Sequence, residues 1–223
     1  MTASDQLDVQ GFLVMPQVLD REACSALRTL LGEADGAGTR GMLHAPEVMR
    51  LARSLLADLA RPHLCGRPVP VRGIYFDKRP ETNWLVAWHQ DLTLALKERV
   101  EMPGWGPWSV KGGVPHVQPP VGCLEQMLTV RLHLDDADED NGALRLLPGT
   151  HRLGRLDAAT ITRIRGTEGE VLCAAHTGDA LLMRPLLLHA SSRSTSGRHR
   201  RVLHIEFAGF DLPAPLAWHE AAP

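Results

Sequence analysis

Apolar residues follow two different spacings along the chain, and in the first third they recur every three or four residues, as on one face of a helix. One such stretch begins after Asp20, a residue type that caps helix N-termini, and ends near Gly36. Its apolar positions are Ala23, Ala26, Leu27, Leu30 and Leu31. A second stretch begins around Pro46 and ends before Pro62, with apolar positions Val48, Met49, Ala52, Leu55, Leu56 and Leu59. The pattern predicts two helices near the N-terminus.

From about Val69 the apolar residues alternate with polar ones, which is the spacing of strands. Turn-forming residues separate most of the stretches. The predicted strands are Val71–Phe76, Trp84–Asp91, Met127–Asp135, Ala143–Leu147, Val171–Ala174, Asp179–Arg184, Leu187–Ser191 and Arg200–Phe207. Helices followed by a run of short strands indicate an α+β chain, mainly β, whose strands form a sandwich or barrel.

The segment from about residue 97 to 122 is rich in glycine and proline and contains Trp105 and Trp108. A loop of this length in a small domain is usually either an active-site cover or a disordered segment. Two arrangements of the indole rings are compatible with this pattern. They pack over a bound ligand, or they anchor the loop on the protein surface.

Composition narrows the class of protein. A chain of 223 residues is long enough for one domain, and we expect residues 1–223 to form a single one. A net charge of -2 gives no reason to expect a nucleic-acid partner. No signal-peptide pattern or membrane-spanning apolar run is visible, and the four cysteines are dispersed as in a reduced protein. These features predict a cytoplasmic protein without a membrane partner.

Three triplets place a histidine two residues before an acidic residue: His89-Gln-Asp91, His133-Leu-Asp135 and His204-Ile-Glu206. On a strand, both side chains of such a triplet point to the same face. An imidazole and a carboxylate together make half of the two-histidine, one-carboxylate triad that binds non-haem Fe(II). Three occurrences in one chain show that the triplet alone does not identify the metal site.

A second histidine from a strand far down the chain would complete such a triad, and His189 lies in the apolar stretch that ends at Ser191. Arg200 opens the last predicted strand, where it shares a face with His204. An arginine that faces the interior needs an anionic partner, because an unpaired buried charge costs several kcal/mol. The distal carboxylate of a dicarboxylate cosubstrate would pair with it in a bidentate manner. Ser191, on the same face as His189, would add a hydroxyl donor.

These motifs together resemble the phytanoyl-CoA dioxygenase family. The resemblance runs from about Gly11 to Phe210, and its motifs are Trp88-His-Gln-Asp91, the segment from Asn141 to His151, Gly178-Asp179, His189-Ala-Ser191 and Arg200. It implies a double-stranded β-helix, a jelly-roll or cupin-like barrel, with N-terminal flanking helices. It also implies a dioxygenase that uses Fe(II), 2-oxoglutarate and O2 to hydroxylate an unactivated C–H bond of a small-molecule substrate, with release of succinate and CO2.

Carried over by position, the resemblance makes His89, Asp91 and His189 the iron ligands. Arg200 and Ser191 match the residues that hold the remote carboxylate of 2-oxoglutarate, and Lys78 resembles a lysine that some members turn toward it. Barrel-lining residues Thr129 and Arg131 are predicted to contact the cosubstrate or the substrate. In the 97–122 loop, the predicted substrate contacts are Trp105, Trp108, Lys111 and His116.

Two other classes of protein share the barrel. A cupin-like hydrolase or isomerase would use the metal without 2-oxoglutarate, but such an enzyme has no use for the dicarboxylate contacts of Arg200 and Ser191. A non-catalytic ligand-binding barrel would have no need of a complete triad. Halogenating relatives replace the carboxylate of the triad with a small residue, so Asp91 favours hydroxylation. His204 and Glu206 are predicted to form an interior polar pair rather than a second metal site.

Overall fold

The computed structural model describes residues 3–165 and 169–221. Its helices are α1 (Ala3–Gln10), α2 (Arg21–Leu31), α3 (Pro46–Leu51), α4 (Ala57–Ala60), α5 (Val121–Glu125) and α6 (Ala158–Ile164). Within these ranges no helix has the length and apolar character of a bilayer-spanning segment.

Thirteen strands are found in the described residues. They are β1 (Phe12–Met15), β2 (Thr39–Arg40), β3 (Val69–Lys78), β4 (Val86–His89), β5 (Leu94–Ala95), β6 (Trp108–Lys111), β7 (Val114–Val117), β8 (Met127–His133), β9 (Leu144–Leu146), β10 (Val171–Cys173), β11 (Ala180–Met183), β12 (His189–Ser191) and β13 (Arg200–Ala208). All eight strands predicted from the sequence are present, with ends shifted by a few residues.

The two helices predicted from apolar spacing are also present. Asp20 caps α2 by accepting a 2.7 Å hydrogen bond from the backbone N–H of Ala23, and the helix ends at Gly32, four residues before the predicted end. Gly32 has a positive φ of 64°, which favours glycine and ends the helix there. The second helix begins at Pro46 as predicted, but its middle turn, Ala52–Leu56, is π-helical.

The strands form two principal antiparallel sheets, as in a jelly roll. The larger sheet has the order β1-β11-β8-β13-β3-β2, and the smaller has the order β10-β9-β12-β4. Side chains from both sheets pack together between them; this cluster contains Phe12, Leu144, Leu146, Cys173, Leu181, Met183 and Leu187. The predicted fold class, a mainly β chain with a jelly-roll barrel and N-terminal flanking helices, is confirmed.

Strand alternation gives β3, β8 and β13 of the larger sheet an apolar outer face and an inner face that carries most of their polar residues. Leu203, Ile205 and Phe207 of β13 pack with the helices, together with Leu128, Val130 and Leu132 of β8. The residues between them point into the barrel. Three inward rows cross β3, β13 and β8 in register: Phe76, Val202 and His133; Ile74, His204 and Arg131; and Arg72, Glu206 and Thr129.

The sequence did not predict β1 and β2, nor the order within the 97–122 loop. β1 is an edge strand of four apolar residues that pairs with β11, and such a short run has no readable periodicity. The loop contains the hairpin β6–β7, which pairs with β5 in a three-stranded sheet. At the hairpin turn, Gly112 and Gly113 have φ values of 58° and 80°, which is the geometry of a two-residue turn with both central residues left-handed.

Candidate metal centre

Three side chains from two neighbouring strands converge at one end of the smaller sheet, and we call them the triad. His89 ends β4 and lies directly opposite His189, the first residue of β12. Asp91 follows two residues after His89, and its backbone N–H donates a 2.8 Å hydrogen bond to the carbonyl of Pro185. One ligand atom from each residue lies within 4.8 Å of the others. Among the described residues, no other group of histidine, cysteine or acidic side chains has this geometry.

Both imidazoles of the triad are held in one tautomer by the backbone. Nδ1 of His89 lies 2.9 Å from the carbonyl oxygen of Ala87, and Nδ1 of His189 lies 2.9 Å from that of Leu187. A carbonyl oxygen only accepts, so Nδ1 carries the proton and Nε2 keeps its lone pair. Each Nε2 lies 3.8 Å from a carboxylate oxygen of Asp91. The three donor atoms therefore face a common point.

The protonation states of the triad suit a divalent cation. Burial raises the pKa of the Asp91 carboxyl, but the imidazoles of His189, His204 and His89 lower it more strongly, to about 2. Burial lowers the pKa of His189 to about 4, so that its imidazole is neutral. The Oδ2 atom of Asp91 is buried and has no hydrogen-bond partner among the described residues. The neutral imidazole of His189, the Nε2 atom of His89 and an ionised carboxylate with an unpartnered oxygen fit a metal such as Fe(II).

Beside the triad lies a group of three buried cations, Lys78, Arg131 and Arg200, which we call the cation cluster. Their exposed fractions are 0%, 5% and 3%, and none forms an ion pair with a carboxylate in the described ranges. Burial, with Arg200 and Arg131 nearby, lowers the pKa of Lys78 to about 7. Burial and Arg131 lower the pKa of Arg200 to about 9. Such an excess of buried positive charge is costly unless an anion binds there.

Several atoms around the cation cluster are buried without a hydrogen-bond partner in the part of the chain that is described. They are Nε of Arg131, Nε of Arg200, Oγ1 of Thr129 and both ring nitrogens of His133. Buried polar atoms normally have partners, so a group of unpartnered ones at one place indicates a ligand site. Thr129 and Arg131 were predicted from strand alternation as barrel-lining contacts, and the structure places both on that wall.

Ser191 and the turn at Gly142 connect the cation cluster to β12. Nζ of Lys78 donates to Oγ of Ser191 at 2.8 Å and to the carbonyl of Ser192 at 2.6 Å. Oγ of Ser191 in turn donates to the carbonyl of Gly142 at 2.8 Å, and Nη1 of Arg200 donates to the same carbonyl. A Cβ at position 142 would lie 2.9 Å from Nζ of Lys78, and the φ of 74° also favours glycine there. The structure thus brings together Lys78, Ser191 and Arg200, three of the residues predicted to bind the cosubstrate.

The triplet His204-Ile-Glu206 forms a polar pair whose atoms are engaged within the protein. Nε2 of His204 lies 3.4 Å from Oε1 of Glu206, and Nη1 of Arg131 donates to Nδ1 of His204 at 2.8 Å. Oε1 of Glu206 also accepts a 3.0 Å hydrogen bond from Nη1 of Arg72. Both ring nitrogens of His204 are therefore engaged, which agrees with the predicted interior pair.

A cavity of about 390 Å³ opens in front of the triad, and we call it the triad cavity. Lys111, one of the residues predicted to contact the substrate, lines it. The other lining residues are Arg40, Arg72, Ile74, Phe76, His89, Gln90, Asp91, Leu92, Thr93, Arg131, His204 and Glu206. Sequence reasoning missed Arg40 and Arg72. Strand alternation would have placed Arg72 on the inner face of β3, but no local pattern indicates where Arg40 lies.

Trp105 and Trp108 do not line the triad cavity. Trp105 is only 9% exposed and belongs to an apolar cluster with Leu124, Leu186 and Leu216, against which Trp108 also packs. The expectation that these rings cover a ligand is therefore corrected: the rings anchor the 97–122 segment, because the apolar cluster takes up their surface. His116, on β7, does not line the triad cavity either and lines a neighbouring cavity instead.

A comparison with family models matches residues 33–202, more than half of the chain, to the family described as Phytanoyl-CoA dioxygenase (PhyH). The chain belongs to the phytanoyl-CoA dioxygenase family. A curated relative from Stutzerimonas stutzeri, named "Probable alpha-ketoglutarate-dependent hypophosphite dioxygenase", is 26% identical over 171 residues. That match covers 70% of this chain and 50% of the relative, so the chain spans about half the length of that protein.

Solved structures share the fold of this phytanoyl-CoA dioxygenase family member. EctD from S. alaskensis, solved with 2-oxoglutarate and 5-hydroxyectoine, is 17% identical and has a TM-score of 0.73; the match covers 100% of this chain and 84% of EctD. AviO1 from Streptomyces viridochromogenes Tue57 is 24% identical with a TM-score of 0.65, covering 99% of this chain and 96% of AviO1. The family and the fold predicted from the sequence are both confirmed.

Proposed function

We propose that this protein is a non-haem Fe(II)- and 2-oxoglutarate-dependent dioxygenase that hydroxylates an unactivated C–H bond of a small molecule, with release of succinate and CO2. One observation carries the proposal. The triad and the cation cluster lie side by side on the inner wall of one barrel, and both contain buried polar atoms without partners in the described ranges. A metal with a dicarboxylate cosubstrate would satisfy both groups at once. Membership of the phytanoyl-CoA dioxygenase family supports the same chemistry.

In this proposal His89, Asp91 and His189 hold the iron. The backbone carbonyls that accept from the two Nδ1 atoms keep each imidazole oriented before the metal arrives, so little side-chain freedom is lost on binding. When bound, iron together with 2-oxoglutarate and O2 supplies the oxidising chemistry that the side chains lack. The carboxylate of Asp91 occupies a position that halogenating relatives leave free for chloride, so its presence favours hydroxylation.

Arg200 is proposed to pair with the distal carboxylate of 2-oxoglutarate. Its guanidinium is 3% exposed and its Nε atom has no partner among the residues described, so an incoming carboxylate has a donor available. Ser191 and Lys78 hold the neighbouring hydrogen bonds in place. Thr129 and Arg131 are proposed to contact the cosubstrate from β8, since both carry unpartnered buried atoms on the same wall.

A cupin-like hydrolase or isomerase remains the alternative that shares the metal site. Such an enzyme would need the triad but would gain nothing from three buried cations, whose desolvation is unfavourable without an anion. The burial of Lys78, Arg131 and Arg200 therefore favours the dioxygenase. A non-catalytic barrel is disfavoured by the triad, whose donor atoms are oriented toward a common point.

The proposal is tested by titrating the protein anaerobically with Fe(II) and then with 2-oxoglutarate. Chelation of the cosubstrate at the iron gives a weak visible charge-transfer band, which we expect in the wild type. Arg200→Gln should weaken 2-oxoglutarate binding by about tenfold or more, because a hydrogen-bonded charge pair is lost. Arg198→Gln is the matched control, since Arg198 lies two residues away on the surface with its side chain 51% exposed. Tight iron binding without the band would contradict the dioxygenase and favour the cupin-like alternative.

A further inference from the structure

Beyond the triad cavity lies a second cavity of about 220 Å³, which we call the His116 cavity. Arg40 and Arg72 line both cavities, so the two adjoin. Besides these arginines, the His116 cavity is lined by Gly41, His44, Ala95, Gly112, Val114, His116, His219 and Glu220. None of the cosubstrate contacts proposed above lines it. The cavity is therefore available to the part of a substrate that lies away from the iron.

The boundary between the two cavities carries excess positive charge. Neither Arg40 nor Lys111 forms an ion pair with a carboxylate of the part of the chain described, and Nζ of Lys111 donates only a 3.0 Å hydrogen bond to Oγ1 of Thr93. Arg72, in contrast, pairs with Glu206 at 3.0 Å. Burial, together with Arg72 and Arg40, lowers the pKa of Lys111, and the carboxylates of Asp91 and Glu206 oppose that shift. Glu206 is already paired with Arg72, so the three cations outnumber the nearby carboxylates. An anion at this boundary would relieve their repulsion.

The carboxylate of Glu220 also faces the His116 cavity, but its hydrogen bonds are directed elsewhere. Its Oε2 atom accepts from the backbone N–H groups of Leu43 and Gly73, each at 3.1 Å. Burial raises the pKa of this carboxyl, and these two hydrogen bonds oppose that rise. Glu220 thus ties the segment before α3 to β3, and it does not neutralise Arg40 or Lys111.

His116 offers a hydrogen-bond acceptor within the second cavity. It is 1% exposed, and its Nδ1 lies 2.9 Å from the carbonyl of Val114, to which it must donate. Its Nε2 is buried without a partner among the residues described. Burial lowers the pKa of His116 to about 4, so the ring is neutral near pH 7 and Nε2 carries a lone pair. A ligand that satisfies this atom must present an N–H or O–H group.

The β6–β7 hairpin carries both Lys111 and His116. Lys111 of β6 is paired with Val114 of β7, and His116 is paired with Ser109. Cross-strand partners and residues two apart share a face, so Lys111 and His116 lie on the same face of the hairpin. The two contacts are therefore fixed relative to each other by one element.

We propose that the substrate is an oxyanion that also carries an N–H or O–H group, with Arg40 and Lys111 binding the anionic part and Nε2 of His116 accepting from the donor. This inference rests on the proposed function, because it takes the triad cavity as the reaction site. The same chemistry is offered by a hydroxy- or amino-carboxylate and by a phosphorus oxyacid that keeps a proton. Arg40 and Lys111 are exposed to solvent, whereas Nε2 of His116 is buried. A purely apolar substrate does not match the site, since it would leave Nε2 without a partner and displace water from the two cations.

The proposal is tested on metal-free protein by calorimetric titration near neutral pH with two matched pairs of probes. Phosphate and sulfate are both tetrahedral anions, but only phosphate carries an O–H group under these conditions. Lactate and propionate are both carboxylates, but only lactate carries a hydroxyl. If the substrate is a phosphorus oxyacid, phosphate is expected to bind at least about tenfold more tightly than sulfate. If the substrate is a carboxylate, lactate is expected to bind at least about tenfold more tightly than propionate. If neither preference is found, the proposal is overturned.

Variants locate the bound anion. Lys111→Met and Arg40→Gln are each expected to weaken binding of the preferred probe by about tenfold. Lys97→Met serves as the matched control, because Lys97 is an exposed lysine that lines neither cavity. Binding that is lost in Arg200→Gln but unchanged in Lys111→Met would place the anion in the cation cluster and overturn the proposal.

Failure of this inference is distinguishable from failure of the proposed function. The probes are titrated without metal, so their binding does not depend on the triad. A protein that binds Fe(II) and 2-oxoglutarate but shows no probe preference leaves the dioxygenase intact and rejects the oxyanion substrate. A protein that discriminates the probes through Arg40 and Lys111, but never binds 2-oxoglutarate, keeps the oxyanion site and rejects the dioxygenase.

Discussion

The triplets His89-Gln-Asp91 and His204-Ile-Glu206 each place an imidazole two residues before a carboxylate, yet their surroundings differ. In the first, the side chains of His89 and Asp91 are 41% and 30% exposed, and their free donor atoms face His189 on the next strand. In the second, both side chains are at most 7% exposed and their polar atoms are engaged by Arg72 and Arg131. The triplet of the metal site therefore differs from the structural pair in that lone pairs of its imidazole and carboxylate are not used in hydrogen bonds.

Position in the sheets produces this difference. His89 ends a short strand, and its neighbour in register is another histidine, so both imidazoles meet at the sheet end. His204 lies in the middle of β13, between β3 and β8, and its register neighbours are Ile74 and Arg131. Arg131 donates a hydrogen bond to His204, whereas His89 faces the imidazole of His189 at the corresponding position. We test this comparison with four predictions, which extend to the triplet His133-Leu-Asp135 and are given in order of decreasing expected effect.

The largest expected effect is on metal affinity. Asp91→Asn should weaken Fe(II) binding by more than about 100-fold, because loss of an outer contact to a ligand alone costs about 10–100-fold. Glu206→Gln is the matched control and should bind the metal as the wild type does. Anaerobic calorimetric titration of both variants, after circular dichroism has confirmed folding, measures the contrast. Equal losses in the two variants would show that the second triplet shares the metal.

The next effect is on stability, and here the variant of Glu206 is expected to lose more than the variant of Asp91. Glu206→Gln should lower the free energy of unfolding by about 3 kcal/mol, because it leaves Arg72 buried without its charged partner. Asp91→Asn in metal-free protein should change it by less than about 1 kcal/mol, since Oδ2 has no partner to lose among the described residues. Urea unfolding in the presence of a chelator compares them. A larger loss for Asp91→Asn would mean that the triad is held by contacts of its own.

The third triplet, His133-Leu-Asp135, gives a pH-dependent effect. Burial, with Arg131 and Arg200 nearby, lowers the pKa of His133 to about 3. The unfolded chain takes up a proton there below its usual value of about 6.5, so the native state loses stability as the pH falls through that range. His133→Leu removes this dependence. Its stability relative to wild type should therefore rise by about 2 kcal/mol between about pH 8 and about pH 5.

Unfolding curves at both pH values measure that change, and a difference that does not vary with pH would contradict it. His133→Leu also removes two buried nitrogens without partners in the part of the chain described, so it should not destabilise the protein at the higher pH.

The smallest effect is expected at the acid of the same triplet. Asp135 lies beyond the end of β8, where its carboxylate accepts from Nε and Nη2 of Arg201 at 2.6 and 2.9 Å. Both side chains are partly exposed, so Asp135→Asn should lower the free energy of unfolding by about 1 kcal/mol. Metal and 2-oxoglutarate affinities should stay unchanged in the same variant. A change in either affinity would connect this surface pair to the site.

Strand alternation in the sequence was enough to predict most of the barrel wall. In β8 and β13 every second residue is apolar, which assigned Leu203, Ile205 and Phe207 to the helix-packed face and Arg200 and His204 to the interior. The motif order then predicted which histidine completes the triad. Local patterns sufficed because a strand fixes the direction of each side chain.

The contacts around the substrate region were not available from the sequence. Arg40 lies on a two-residue strand that pairs with β3, and only that pairing brings it to the triad cavity. The hairpin β6–β7 is hidden in a segment rich in glycine and proline, where Trp105 and Trp108 suggested a cover.

The sequence by itself indicated the mainly β fold through strand periodicity. The resemblance of its motifs to the phytanoyl-CoA dioxygenase family indicated the residues of the triad and the cation cluster. Only the tertiary structure decided that Arg40, Lys111 and His116 lie around adjoining cavities. The physical reason is that pairing between distant strands, and burial of apolar side chains such as Trp105, depend on neighbours that no local pattern specifies.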